Sequence, residues 1–166
     1  ECMREEQVFN IVVSSSCAVY GQPEVLPIEE SSPLKPINPY GATKLFMERM
    51  LSDFLIAYDM RYMALRYFNA AGCDVDCEVG ELHEPETHLI PRILQAALGK
   101  IPYLEVFGSD FPTPDGTCIR DYVHVSDLAS AHVTALKQLI SKGESTCINL
   151  GTGRGYSIKE IIRQTE

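Results

Sequence analysis

The sequence is short of positive charge. Lys and Arg number 14 against 23 Asp and Glu, a formal net charge of −9. That balance excludes DNA or RNA as the main partner, because phosphate contacts need a basic face. A small anionic ligand remains open, since a few local Arg or Lys residues can hold one. No apolar run approaches the roughly 20 residues that a membrane-spanning helix needs, so no membrane is expected as a partner. The chain has 6 cysteines but lacks the paired C-x-x-C spacing of a zinc site. Cys73 and Cys77, with His83 nearby, do not repair that lack, and no metal is expected. Scattered cysteines with no secretion signal ahead of them point to a reducing, cytoplasmic compartment. Internal repeats and low-complexity segments are absent too. The chain opens on Glu1 rather than Met and closes at Glu166 inside an apparent helix, so it reads as an excerpt of a longer protein.

What is present is an ordinary soluble globular composition: 166 residues, 45% hydrophobic and 22% charged, enough for one domain with a real core. Val8 to Ser14 is apolar and β-branched, the pattern of a buried parallel-sheet strand. Pro23, Pro27, Pro33, Pro36 and Pro39 make residues 21–39 a long loop. Asn38-Pro39 then opens a helix, with Asn as cap and Pro at the first helical position. Met47, Met50, Leu51, Phe54, Leu55 and Tyr58 recur along it at helical spacing, with Glu48, Arg49, Ser52 and Asp53 between them. Tyr62 to Phe68 reads as a second strand, completing a parallel βαβ unit. Gly72 to Thr87 is a polar, acidic loop. A helix over Leu89–Leu98 is ended by Gly99, a short strand is expected over Leu104–Phe107, and turns fill Gly108–Gly116. Ser126 or Asp127 caps a helix bearing Leu128, His132, Ala135, Leu136 and Leu139 on one face. Cys147–Leu150 is a last strand, and Ser157 starts a final helix.

Tyr40 and Lys44 stand one turn apart at the start of the first long helix, on the stripe that continues through Met47 and Leu51, so both are expected to face inward. A lysine ammonium beside a tyrosine favours its phenolate, as does the positive end of a helix. Such a tyrosine can serve as a general base. The plainer reading is a core tyrosine with a lysine that reaches for solvent. Ser14-Ser15-Ser16 closes the first strand, and ligands of open α/β sheets bind at the carboxyl ends of strands. A serine hydroxyl there can share a proton with a substrate oxygen and a phenolate; alternatively the run is an ordinary exit from the strand.

Several segments resemble a known family. Ser14-Ser15-Ser16-Cys17-Ala18-Val19-Tyr20-Gly21 resembles the S-S-S-x-x-V-Y-G segment of extended short-chain dehydrogenases, and Asn38-Pro39-Tyr40-Gly41-Ala42-Thr43-Lys44 their P-Y-x-x-x-K segment. Arg66-Tyr67-Phe68-Asn69-Ala70-Ala71-Gly72 is similar to the R-Y-F-N-x-x-G of the nucleotide-sugar 4-epimerases among them. Arg120-Asp121-Tyr122-Val123-His124-Val125 with Asp127-Leu128 looks like their R-D-Y-x-H-V-x-D-L signature, and Asn149-Leu150-Gly151-Thr152-Gly153 like a further hallmark. The matches follow the family's order and cover nearly the whole chain.

The resemblance implies an α/β fold: the second half of a Rossmann-like parallel sheet over residues 1–68, then a smaller α/β substrate-binding portion interleaved with returning Rossmann elements over 69–166. It implies interconversion of UDP-glucose and UDP-galactose, or of a close UDP-sugar pair, through transient oxidation at sugar C4 by tightly held NAD. Tyr40 would take the proton of the 4-hydroxyl, Ser16 would bond the same oxygen, and Lys44 would hold the nicotinamide ribose. Ser14 and Phe68 would lie against the cofactor. Asn69, His88, Leu89, Glu105, Val106 and Phe107 would line the nucleotide-sugar site. Arg120 would grip the diphosphate, where a guanidinium fork suits phosphate oxygens; its alternative is an ion pair with Asp121 or another carboxylate. His124 and His132 are read as structural, Asp121 and Asp127 as supporting or capping residues.

Departures from the pattern narrow the choice. Related 4,6-dehydratases carry an acidic residue just after the serine of the strand end, and decarboxylating relatives a Glu near it; here Cys17 and Ala18 follow Ser16. His88 stands where some epimerases have Asn, which leaves the sugar pair open. Gly151-Thr152-Gly153-Arg154-Gly155-Tyr156 mimics a dinucleotide loop, but Tyr156 sits where its last Gly belongs. The family's glycine-rich loop and ribose-binding acidic residue do not occur before Ser14. The chain alone is therefore expected to be inactive or very weak, and poorly soluble through its uncovered sheet edge, while the whole protein is expected to be an active homodimer. The alternatives are a non-catalytic remnant that binds a nucleotide sugar or a partner, and a scaffold for dimerisation alone.

Overall fold

The computed structural model describes residues 1–165, which divide into two compact units. One comprises Glu1–Phe68 with Ser126–Gly151, the other Asn69–Val125 with residues 152–165.

The first unit is a parallel α/β layer. A short helix α1 (Cys2–Glu5) precedes strand β1 (Asn10–Ser16), a 3-10 turn (Cys17–Tyr20), helix α2 (Pro39–Tyr58) and strand β2 (Arg61–Tyr67). Helix α4 (Val125–Lys142) and strand β5 (Thr146–Leu150) complete it. The sheet order is β1-β2-β5, all parallel, with Asn10 opposite Arg61 and Ser16 opposite Tyr67. The expected βαβ unit is therefore present. Strand β1 starts two residues later than the apolar run suggests, because the ladder begins where Asn10 meets Arg61; Val8 and Phe9 are exposed. Helix α2 opens as expected: the Asn38 side chain accepts the Gly41 N–H at 2.8 Å, and Pro39 fills the first turn.

Strand alternation sends successive β2 side chains to opposite faces. Met63 and Leu65 pack with Ala135 of α4, and Val12, Tyr67, Ile148 and Leu150 close that layer. Arg66 points the other way and meets Glu48 of α2. A second cluster joins Val19 and Tyr20 of the 3-10 turn to Leu45 of α2. Gly41 lets these elements touch, since a Cβ there would lie 2.5 Å from the Ala18 carbonyl oxygen.

The second unit holds strands β3 (Asn69–Ala71), β4 (Ile119–His124) and β6 (Gly155–Ser157) in the order β3-β4-β6. β3 runs parallel to β4, and β6 antiparallel to it. Helices α3 (Leu89–Ala97) and α5 (Ile158–Arg163) start within a residue of their expected positions. Ser157 caps α5 in a reciprocal box with Glu160. Glu166, expected inside that helix, lies outside the described residues. Leu104–Phe107 is not a strand: Glu105, Val106 and Phe107 are all exposed, and no strand pairs with them among the described residues. A lone apolar alternation has no ladder to satisfy its backbone.

Asp115 ties the turn before β4 to α5. Its carboxylate accepts from the Ser157 hydroxyl and from the Thr117 hydroxyl and N–H. These bonds, the Ser157 one foremost, hold its carboxyl down at about 2 from an ordinary 3.8. A depressed carboxyl stabilises the fold fully above its unfolded value and loses that contribution as pH falls through the folded one. Asp115→Asn is therefore expected to lower Tm at neutral pH. The gap to the parent should close as pH falls from 3.8 towards 2, in thermal unfolding followed by circular dichroism. A gap independent of pH would show that shape, not charge, holds the turn.

Candidate active site

The serine run lies at the carboxyl end of β1, and alternation splits its roles. Ser15 and Ser16 are buried. The Ser14 hydroxyl meets His132 Nε2 of α4 at 3.1 Å, while His132 Nδ1 faces the Leu128 carbonyl at 2.7 Å. A carbonyl only accepts, so Nδ1 carries the hydrogen, and in the neutral ring Nε2 takes the serine proton. This gives His132 the structural part read for it. Ser15, on the opposite face, donates to Glu48. The Ser16 hydroxyl caps the 3-10 turn by accepting the Ala18 N–H at 3.2 Å, and a hydroxyl that accepts still has a hydrogen to donate.

Lys44 reaches back to the same strand end. Its ammonium donates to the Ser14 carbonyl at 2.8 Å and lies 5.6 Å from the centre of the Tyr40 ring. The expected inward stripe differs in one respect. Tyr40 is 55% exposed, and the buried face of α2 is Gly41, Leu45 and Glu48. Tyr40, on the first turn, thus presents its ring to solvent at the strand ends while Lys44 is half-buried behind it. A tyrosine buried in the core could not meet a ligand; this one can.

Behind the serines sits a polar network that sequence reasoning missed. Arg66 forks onto Glu48, with Nε–Oε1 at 2.9 Å and Nη2–Oε2 at 2.7 Å, and its Nη1 donates to the Tyr20 hydroxyl at 2.7 Å. Tyr20 in turn donates to Asn149 Oδ1 at 2.7 Å, and the Asn149 N–H is accepted by Glu30. Both side chains of the Arg66–Glu48 pair are 5% exposed. Burial opposes the charge on Arg66, but the bonds to Glu48 and Tyr20 raise its guanidinium above the ordinary value. Burial, and next the Glu48 charge, push the nearby Cys147 thiol up to about 11. The network fastens α2, β2, the 3-10 turn and β5 to the strand end that carries Ser16. Its traces in the sequence are the motif segments that carry Arg66, Tyr20 and Asn149, none of which points to Glu48 as their partner.

The remaining expected residues divide between the units. Phe68 is half-buried where β2 ends, its N–H bonded to the Leu150 carbonyl at 3.3 Å. In the second unit, Asn69 begins β3 and is exposed, and Leu89 is the half-buried first residue of α3. His88 precedes it, exposed, with Nδ1 at 2.6 Å from Glu81 and 2.9 Å from Glu86. Glu105, Val106 and Phe107 are exposed. Arg120 is exposed and donates to the Ile119 carbonyl. The alternative pairing with Asp121 does not form: Asp121 accepts from Thr152 and from the Gly153 N–H. That last bond also occupies an amide of the Gly151–Tyr156 loop.

A family model described as "NAD dependent epimerase/dehydratase family" matches residues 1–151. The chain belongs to this family. Among members of the epimerase/dehydratase family, the UDP-glucose 4-epimerase of Halalkalibacterium halodurans is 52% identical over 160 residues, covering 96% of this chain and 48% of that protein. A crystal structure of UDP-glucose 4-epimerase from Brucella ovis in complex with NAD superposes with a TM-score of 0.94 at 58% identity, over 97% of this chain and 50% of that one. The enzyme from Bifidobacterium longum, in complex with NAD+ and UDP, gives 0.88 at 40% identity, over 97% and 49%. The chain thus spans about half the length of the family members it matches, and the Rossmann-like α/β class expected from the sequence is the class of these neighbours. No helix of the described residues is long and apolar enough to cross a membrane.

Proposed function

We propose that this chain supplies the catalytic portion of an NAD-dependent UDP-sugar 4-epimerase, with UDP-glucose and UDP-galactose as its first pair. The observation that carries the reading is the strand-end arrangement: an exposed Tyr40 with the Lys44 ammonium 5.6 Å from its ring and bonded to Ser14 at the end of a parallel strand. Relatives at about half the chain's residues identical carry the same activity in their names.

In this reading Tyr40 removes the proton from the sugar 4-hydroxyl, and Ser16 bonds the same oxygen. Lys44 positions the nicotinamide ribose and keeps positive charge near the tyrosine ring. NAD, when bound, accepts the hydride from C4 and returns it to the other face of the sugar. The half-buried Phe68 and the Ser14 end of β1 fit a flat apolar ring with a polar edge. Arg120, whose carboxylate neighbour is already engaged by Thr152 and Gly153, is left to meet a diphosphate. Asn69, His88, Leu89, Glu105, Val106 and Phe107 are assigned to the nucleotide sugar. The domain division at residue 68, with nucleotide-binding elements before it and mostly substrate-binding ones after, belongs to the same reading. So do a homodimer, a cytoplasmic location and a place in galactose metabolism. Exposed Phe46 and Met50, one turn apart on the outer face of α2, support self-association through that helix, and free cysteines suit a reducing compartment.

The test is turnover. The whole protein encoded by the gene is expected to convert UDP-galactose to UDP-glucose, read by coupling to a UDP-glucose dehydrogenase. The 166-residue chain alone should show little or none. A whole protein that binds UDP-galactose without converting it would replace this reading with that of a non-catalytic binder.

A further inference from the structure

We propose that the Glu81–His88 loop is a binding site for one divalent transition-metal ion of the zinc class, held by His83, Glu86 and His88, with the Glu81 carboxylate beside His88. The sequence sets His83 near Cys73 and Cys77; the fold gathers it with Glu86 and His88 instead. Ligand atoms of His83, Glu86 and His88 all lie within 4.8 Å of one another. The His88 Nδ1 is 2.6 Å from Glu81 Oε1 and 2.9 Å from Glu86 Oε1, and His83 Nδ1 is 3.9 Å from that same Glu86 oxygen. A tetrahedral ion with bonds of about 2.0–2.1 Å sets its ligand atoms roughly 3.4 Å apart, a spacing these distances bracket.

The chemistry of the cluster favours an ion over a proton. His88 Nδ1 has one hydrogen at most, yet two carboxylates converge on it. A single hydrogen shared between two carboxylates bonds each more weakly, whereas a divalent cation accepts lone pairs from His83, Glu86 and His88 together. No Lys or Arg forms an ion pair with Glu81 or Glu86 among the described residues. The site is also held in place. The Glu86 side chain is 11% exposed, its carboxylate accepts the His88 N–H at 2.7 Å, and its carbonyl receives Arg92. His83 and His88, with ring centres 5.0 Å apart, remain open to solvent and can turn onto an arriving ion. Two imidazoles select zinc, cobalt, nickel or copper over magnesium and calcium, which prefer all-oxygen shells. Such an ion would occupy the same His88 imidazole that the epimerase reading assigns to the nucleotide sugar, but the binding itself does not depend on that reading.

The test is titration of the full chain with Zn2+ in competition with a chromogenic chelator, in parent and in Cys73→Ser/Cys77→Ser backgrounds. One equivalent is expected to bind in both. His83→Ala and His88→Ala should each weaken binding by about tenfold or more and abolish the Zn2+-induced rise in Tm. Their metal-free circular dichroism should match the parent, since both side chains are on the surface. Affinity unmoved by either His variant, or lost when the two cysteines are replaced, would overturn the proposal.

Discussion

Glu48→Ala is expected to destabilise the first unit by about 3–5 kcal/mol, the usual result of leaving a buried charge without its partner. The variant strands the Arg66 guanidinium, whose side chain is 5% exposed and which is forked onto both Glu48 oxygens. It also removes the acceptor of the Ser15 hydroxyl. Urea unfolding followed by far-UV circular dichroism measures the loss. A double replacement, Glu48→Leu with Arg66→Met, should recover much of it, because an apolar pair of similar volume often matches a buried ion pair. A single-variant loss below about 1 kcal/mol, the range of exposed pairs, would mean that water reaches the guanidinium.

The second large effect concerns turnover. In the whole protein, Tyr40→Phe is expected to lower kcat by about 10²–10⁴, the contribution of a positioned general acid or base, with little change in KM for UDP-galactose. The fold should tolerate it, since Tyr40 is 55% exposed. Lys44→Met probes the neighbouring role and should also weaken retention of NAD, because it removes the ammonium bonded to Ser14. Near-normal kcat in Tyr40→Phe would remove Tyr40 from the reaction and hand the proton to another group.

The parts legible in the sequence are those governed by local rules. The Asn38-Pro39 start of α2 and the Ser157–Glu160 box of α5 follow from capping chemistry, and both are in place. The parallel βαβ order follows from strand, long amphipathic helix, strand. The parts that were not legible depend on partners remote in the chain. Glu48, polar among apolar neighbours, reads as solvent-facing; only the approach of Arg66 from β2 makes it the most buried charge of α2. Strands β3 and β6 have three residues each, too short for alternation to show. Leu104–Phe107 has the alternation but no neighbour to pair with. For the candidate site, the serine run and the Tyr40–Lys44 turn were visible as motifs. The network beneath them, and the convergence of Glu81, Glu86 and His88, were not, because both depend on contacts that only the folded chain makes.

The first unit is discontinuous along the chain, and this has a consequence for how the protein is made. Strand β2 pairs on one side with β1, from nearby sequence, and on the other with β5, which a ribosome reaches only after completing residues 69–125. During synthesis β2 must wait with one edge bare, and Asn149 arrives last to close the bond chain from Arg66 through Tyr20. Closing such a long excursion adds entropy cost that local pairings avoid. A nascent chain stalled before Thr146 exposes that edge to its neighbours, so a translational pause falling between residues 125 and 146 is where its aggregation should concentrate.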